Sequence, residues 1–194
     1  SQTSGSMEFL AQGAWTKRFH PGWAAHSGIW AALLARSGYL GPSTIIEGRD
    51  GFLRAYSGHP DPGSVLRGLG DEFLITRTGI KPHSCCRYKQ GPIDCLLDLR
   101  NSHNIQHQNV EEVRVGVLSA GFGLVASPEE NKRNPTSVVD MQFSMPFGAA
   151  AALVFGRASL AEYALGVPER PEVKNIMDRT RCVIDPALEA TFPR

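Results

Sequence analysis

Lys17-Arg18-Phe19-His20-Pro21-Gly22-Trp23-Ala24-Ala25-His26-Ser27-Gly28 is the stretch on which the reading of this chain turns. Two cations, two histidines, two aromatics and two glycines fall within twelve positions, a density found nowhere else in the 194 residues. Pro21-Gly22 predicts a bend over Lys17 to Gly22. Beyond it, Trp23, Trp30, Leu33 and Leu34 recur on one broad stripe, with Ala25, Ile29 and Ala32 beside it. That spacing predicts a helix over Trp23 to Ser37, buried on most of its sides. Gly38 stands where a C-terminal cap belongs. Upstream, Met7 to Ala14 reads as a short helix, with Phe9 and Leu10 inward and Glu8 and Gln12 outward.

A second basic knot follows at Ile80-Lys81-Pro82-His83-Ser84-Cys85-Cys86-Arg87-Tyr88-Lys89. The two segments are expected to form one wall of an anion-binding active site. Lys17 is flanked by Trp15 and Phe19. An ammonium turned into a cleft there is desolvated, its pKa falls, and it serves as base, acid or carboxylate clamp. The alternative is a surface lysine whose stem covers Phe19. His20, just before Pro-Gly, is either a general acid or base or a buried histidine bonded to a carbonyl. His26, in the first turns of an apolar helix, reads first as a satisfied core histidine and second as a substrate contact. Lys81 precedes Pro82 and so sits in extended backbone. Arg87 and Lys89 lie just before a helix whose free N–H groups would help hold an anion, or they form a solvated basic turn. Cys85 and Cys86, near cations, are reactive thiols or buried structural ones.

The rest of the chain supplies the frame. Residues 57–70 are rich in Gly, Pro and Asp and read as a linker, and Phe73 to Thr76 as a short strand. Pro92 to Leu99 has helical periodicity, and Asn101 to Asn109 reads as a polar loop. Val113, Val115 and Val117 alternate with Arg114 and Gly116, the pattern of a half-buried strand. Ser127 to Ser137 reads as polar and mobile. Gln142 to Phe155 reads as one buried helix with Pro146 near its start. Pro171 to Arg179 predicts an amphipathic helix and Arg181 to Ile184 a strand. The order predicts the end of an all-helical region, residues 1–70, followed by an α+β unit, residues 71–194.

Composition narrows the function. A net charge of +1 gives no global field for nucleic acid or a membrane surface. No apolar run approaches the roughly 18 residues of a membrane helix. Ser1 to Gly5 are small and polar, unlike a secretory leader, and the absence of an initiator Met fits a truncated or processed start. The four cysteines, Cys85, Cys86, Cys95 and Cys182, have no CxxC spacing and read as thiols of a reducing compartment. There is no P-loop, no GxGxxG between a strand and a helix, no HExxH and no GxSxG. His20 and His26 have no Cys or carboxylate at ligand spacing, so no metal is expected.

The motifs Ser4-Gly5-Ser6-Met7-Glu8-Phe9-Leu10, Trp15 to Gly28, Gly41-Pro42, Glu47-Gly48-Arg49-Asp50-Gly51-Phe52, Lys81-Pro82-His83-Ser84-Cys85-Cys86, Ile93-Asp94 and Gln142-Phe143-Ser144-Met145-Pro146-Phe147 resemble the MmgE/PrpD family, in family order. That family includes 2-methylcitrate dehydratase, cis-aconitate decarboxylase and iminodisuccinate epimerase. The resemblance implies a protein more than twice this length, with a large helical domain and a smaller α+β lid domain, of which this chain is a fragment. It implies a homodimer in the complete protein, no cofactor, and a small polycarboxylate as substrate. A cytoplasmic enzyme is expected, or one of the mitochondrial matrix if the source is eukaryotic.

By the same resemblance, Lys17 and Lys81 match active-site lysines and His20 follows Lys17 in its motif. Phe147 falls where decarboxylase members place a tyrosine. Arg87 and Gln90 stand near positions where many members have histidine. The expected set is therefore Lys17, His20 and Lys81 as catalytic residues, with His26, Arg87, Gln90 and Phe147 binding substrate. The expected reaction is dehydration of a citrate-like acid such as 2-methylcitrate, with epimerisation, isomerisation or decarboxylation as alternatives, or a fragment inactive alone.

Overall fold

The computed structural model describes residues 5–192. Ser4 of the first family motif, the residues before it, and Pro193 and Arg194 lie outside that range. The chain divides into two compact units. One holds Thr16–Ile80 with Gly5 and Ser6, and the other holds Met7–Trp15 with Lys81 onward. Helices dominate, and the strands form one small parallel sheet.

The first unit is helical and open. Its main element is α1 (Thr16–Arg36), which runs through Pro21 instead of bending there. Proline removes one backbone donor, and this one lies in the second turn, close enough to the start that the rest propagates. The predicted cap is present: Gly38 has φ +87°. Its N–H reaches the Ala35 carbonyl at 3.0 Å, and the Tyr39 N–H reaches Leu34 at 3.0 Å. This is the paired closure of a Schellman motif. The expected burial of this helix is not found, because no residue of α1 is buried. Two short helices follow, α2 (Phe52–Tyr56) and α3 (Pro62–Leu66), the second capped by Asp61 through the Gly63 N–H. Phe73 to Thr76 is not a strand; Leu74–Arg77 is a 3-10 turn. Thr76 and Thr78 hydroxyls bond the Phe73 and Leu74 carbonyls, so local side-chain bonds win where no partner strand lies among the described residues.

The second unit holds the core. Met7–Ala11 forms a 3-10 turn whose buried Phe9 meets Phe143 at 5.9 Å. A second 3-10 turn, Arg87–Lys89, leads into α4 (Gln90–Ser102). Strand β1 (Val113–Val117) buries Val113, Val115 and Val117, as the alternation predicts. Then come α5 (Ser119–Val125), α6 (Glu129–Arg133), α7 (Val138–Gln142) and α8 (Met145–Ala150). After α9 (Pro171–Arg179), strand β2 (Thr180–Ile184) returns parallel to β1, Val113 opposite Thr180 and Val117 opposite Ile184. A parallel pair needs such a crossover. The short α10 (Pro186–Glu189) follows.

Two expectations fail here for local reasons. The stretch 142–155 is not one helix, because Ser144 starts a new one: its hydroxyl accepts the Phe147 N–H at 3.0 Å and Pro146 stands in the first turn. After α8 the backbone widens into a π-helical turn, Ala151–Phe155, closed by Gly156 at φ +67°. Nor is 127–137 a loose polar loop. Lys132 donates to the Leu124 carbonyl at 2.8 Å and Arg133 to Thr180 at 2.8 Å, so its cations tie α6 to the carbonyls of its neighbours. Every residue of α8 is buried, and α9 lays Val173, Ile176 and Met177 into the same core.

Candidate functional site

Because α1 is continuous, Lys17 and His20 stand three residues apart and share a face. Lys17 is exposed and His20 half-buried. The His20 ring lies against Gly5, where an added Cβ would come within 2.5 Å of Nδ1. One, two and three turns further along the same face come Ala24, Ser27 and Ala31, all small.

The opposite side of α1 is a ladder of rings. Phe19 stacks on Trp23 at 6.0 Å, Trp23 on His26 at 5.2 Å, and the Trp30 indole donates to His26 Nε2 at 2.9 Å. At 100° per residue, His26 lies half a circumference from Lys17. It is a satisfied histidine, as the sequence suggests, but an exposed one outside any core. The helix thus brings Lys17 and His20 together and turns His26 away.

Lys81, Arg87, Gln90 and Phe147 belong to the other unit. Lys81 is exposed, ahead of Pro82. Gln90 is buried, and its amide staples the entry to α4. Its oxygen accepts the His83 N–H at 3.0 Å, and its nitrogen donates to the carbonyls of His83, Cys85 and Cys86 at 3.1–3.3 Å. His83 in turn holds Asp94 through Nε2 at 2.8 Å. Cys85 and Cys86 are buried free thiols, the structural alternative of their reading.

The turn Arg87–Lys89 sends its two cations different ways. Arg87 is exposed, whereas Lys89 is fully buried. Lys89 Nζ donates to the Met141 carbonyl at 2.8 Å and lies 3.4 Å from the Tyr163 hydroxyl. It sits 5.2 Å from the Tyr163 ring centre and 5.9 Å from that of Phe147, and these two rings meet edge-on at 5.2 Å. Gly148 makes the room: a Cβ there would stand 2.7 Å from Lys89 Cε. Two π faces and a carbonyl replace water around the ammonium, an incomplete exchange. Burial accordingly lowers the Lys89 pKa to about 8; Cys85, Cys86 and Cys182 counter this, and Lys132 adds to it. Burial, with Cys85 hydrogen-bonded to its hydroxyl, pushes the Tyr163 pKa above the usual phenol range.

A basic turn reads as solvated, so sequence reasoning missed Lys89 as an interior amine. No periodicity marks it; the nearest signal is the apolar Gln142–Phe155 run that has to pack against something. The His83–Asp94 pair was missed too, although both residues stand in the quoted motifs. Chemically, the α1 face offers a lysine and a histidine one turn apart for proton transfer and anion binding, and the α4 entry holds a buried amine whose pKa lies at about 8. Among the described residues no three His, Cys, Asp or Glu side chains come together as a metal site, and no helix is long and apolar enough to cross a membrane.

Two family models match the chain: the MmgE/PrpD N-terminal domain over residues 1–64 and the MmgE/PrpD C-terminal domain over residues 83–194. Similar proteins include the Cis-aconitate decarboxylase-like protein oryM of Aspergillus oryzae, 27% identical over 196 residues, a match covering 94% of this chain and 40% of that protein. The Cis-aconitate decarboxylase of Aspergillus terreus is 29% identical over 180 residues, covering 83% of this chain and 35% of its own length. The chain thus spans well under half the length of these relatives, and it carries matches to both family domains in family order. The chain belongs to the MmgE/PrpD family.

Proposed function

We propose that the protein acts as a cofactor-independent lyase on a citrate-like di- or tricarboxylate such as 2-methylcitrate, working in the cell as a homodimer. The observation that carries this reading is the Lys17–His20 pair on one face of α1, in a chain of this family. Removing the proton α to a carboxylate leaves a second negative charge on the carboxylate carbon framework. A fixed ammonium opposite that charge lowers the barrier. The β-hydroxyl then leaves as water, taking a proton from a general acid, while the electron pair of the broken C–H bond forms the alkene. An imidazole both gives and takes a proton, which suits either step. Lys17 is assigned to the carboxylate, His20 to proton transfer and Lys81 to a further carboxylate.

Decarboxylation is the second reading, and the names of the relatives favour it. There the electron pair left by departing carbon dioxide is protonated instead. Phe147, where the resemblance places a tyrosine in decarboxylase members, has no proton to give. The neighbouring phenol of Tyr163 is engaged with Lys89 and Cys85. This favours dehydration, and epimerisation would use the same first proton abstraction.

The test is titration calorimetry of the chain with citrate, 2-methylcitrate and cis-aconitate, followed by proton NMR of the mixtures. Binding of at least one acid is expected, with loss of affinity in Lys17→Ala and in Lys81→Ala. The methyl, methylene or vinyl signals of an unsaturated acid that keeps every carboxylate would mark dehydration; new C–H signals of an acid with one carboxylate fewer would mark decarboxylation. Turnover undiminished by Lys17→Ala, or a folded wild type that neither binds nor converts any of the three, overturns the assignment.

A further inference from the structure

Arg87 is exposed, whereas Gln90 and Phe147 are buried. Arg87 thus stands apart from them in burial. It lines a cavity of about 310 Å³ with Tyr88, Gly91, Val117, Leu188 and Phe192, where the start of α4 meets the end of β1 and the chain after α10. This is near the lower end of the range of small-ligand pockets, about 300–1,000 Å³. We propose that it is a binding site for a small monocarboxylic acid with an apolar body, separate from any polycarboxylate site.

The argument rests on charge and wall chemistry. Among the described lining residues Arg87 is the only charged one, and its guanidinium makes no hydrogen bond or ion pair within the described structure. The two carboxylates on the flanking segment are already engaged. Asp185 Oδ1 accepts the Ala187 N–H at 2.8 Å. Glu189 accepts the Ser119 N–H at 2.5 Å and its hydroxyl at 3.0 Å. Both keep their negative charge, but neither lines the cavity, so the charge on its described wall is positive, and a guanidinium fork matches a carboxylate with two parallel bonds. On the same wall, Val117, Leu118, Leu188 and Phe192 offer no donor from their side chains, and the Thr191 hydroxyl is spent on the Leu188 carbonyl at 2.9 Å. A second or third carboxylate placed against them would lose its water without a partner, which is costly. An alkyl chain placed there gains from burial. One charge at one end and hydrocarbon at the other is the ligand this cavity fits.

The experiment is a proton–nitrogen NMR titration of the whole chain with hexanoate, hexanamide and citrate, in wild type, Arg87→Met and Arg87→Lys. Both substitutions are at an exposed position and keep the stem. Hexanoate is expected to shift the amides of Gly91, Val117 and Leu118 saturably, and Arg87→Met to weaken it about tenfold or more. Arg87→Lys should fall between, because it restores the charge without the fork. Hexanamide should bind more weakly than hexanoate by a similar factor. Citrate binding this cavity as well as hexanoate would assign Arg87 to the polycarboxylate site and overturn the proposal. So would the absence of a saturable hexanoate shift, or equal hexanoate affinity in Arg87→Met. None of these outcomes depends on whether the chain is a lyase.

Discussion

Helix α1 and helix α8 carry opposite relations between apolar sequence and burial. α1 has the richer apolar stripe, yet over its 21 residues none is buried; Ile29 is 63% exposed and Trp30 54%. α8 is only six residues long, contains a proline and a glycine, and is buried throughout. An apolar stripe states what a helix is able to bury, and neighbouring chain decides whether it does. What holds α1 is local: backbone bonds over a length above the roughly 12–15 residues at which isolated helices become marginal, the ring ladder from Phe19 to Trp30, and the closure at Gly38. What holds α8 is packing, with Ser144 at its start and α9 across it.

The largest effect should separate the two at equal chemistry. Phe147→Ala removes a fully buried ring that touches Tyr163 and lies beside the Lys89 amine. A loss of about 3–5 kcal/mol is expected. Trp30→Ala removes a larger ring from an exposed ladder and should cost less than about 1 kcal/mol. Urea unfolding followed by circular dichroism measures both. Equal costs would mean that α1 is buried in solution, by self-association or otherwise, and that the contrast between the helices fails.

The next effect turns on the buried amine. The Lys89 pKa falls from 10.5 unfolded to about 8 folded, so between these values the unfolded chain binds more protons than the folded one. Stability contributed by this group therefore rises as pH climbs from about 8 to 10.5, and is lost as pH falls through 8. At 1.36 kcal/mol per pKa unit the full change is about 3 kcal/mol. Cys182, raised from 9.0 to about 11 by burial, and Tyr163, raised above 10.0 by burial and by Cys85, work in the opposite direction in the upper part of that range. The informative quantity is thus the difference between wild type and Lys89→Met at each pH. That difference should shift toward the wild type as pH rises from 8 to 10.5. A pH-independent difference would mean that the amine is hydrated, and that the core around Phe147 is looser than its contacts imply.

Local rules were readable from the sequence wherever the cause was local. The Val113–Val117 alternation, the α9 periodicity and Gly38 all gave elements found in the structure, because side-chain period and backbone handedness act within a few residues. The misses share a different cause. Pro21 bends a short peptide but not a helix long enough to absorb one lost bond. Phe73 to Thr76 has strand composition but no strand beside it. Lys89 lies in a basic turn, and only the position of Met141, 52 residues on, makes it an interior group. Of the candidate site, the Lys17–His20 spacing was readable once a helix replaced the predicted bend. The separation of Arg87 from Gln90 was not, since it depends on which way a three-residue turn points its side chains.

The smallest effect tests whether α1 is held locally. Gly38 has φ +87°, a conformation that costs an L-residue about 1–2 kcal/mol. Nothing lies within 4 Å of a Cβ added there, so Gly38→Ala changes backbone strain without creating a clash. If packing held the helix, this strain would be spread over the whole unit and appear as a small shift in global unfolding. If local bonds hold it, the damage stays at the end: the Gly38 and Tyr39 amides, which close the motif on Ala35 and Leu34, should exchange with deuterium several-fold faster. Exchange near Lys17 and His20 should stay unchanged, as should every amide of α8. Uniform acceleration along α1 would show instead that the helix opens as one piece, and that the face carrying Lys17 and His20 depends on the cap at its far end.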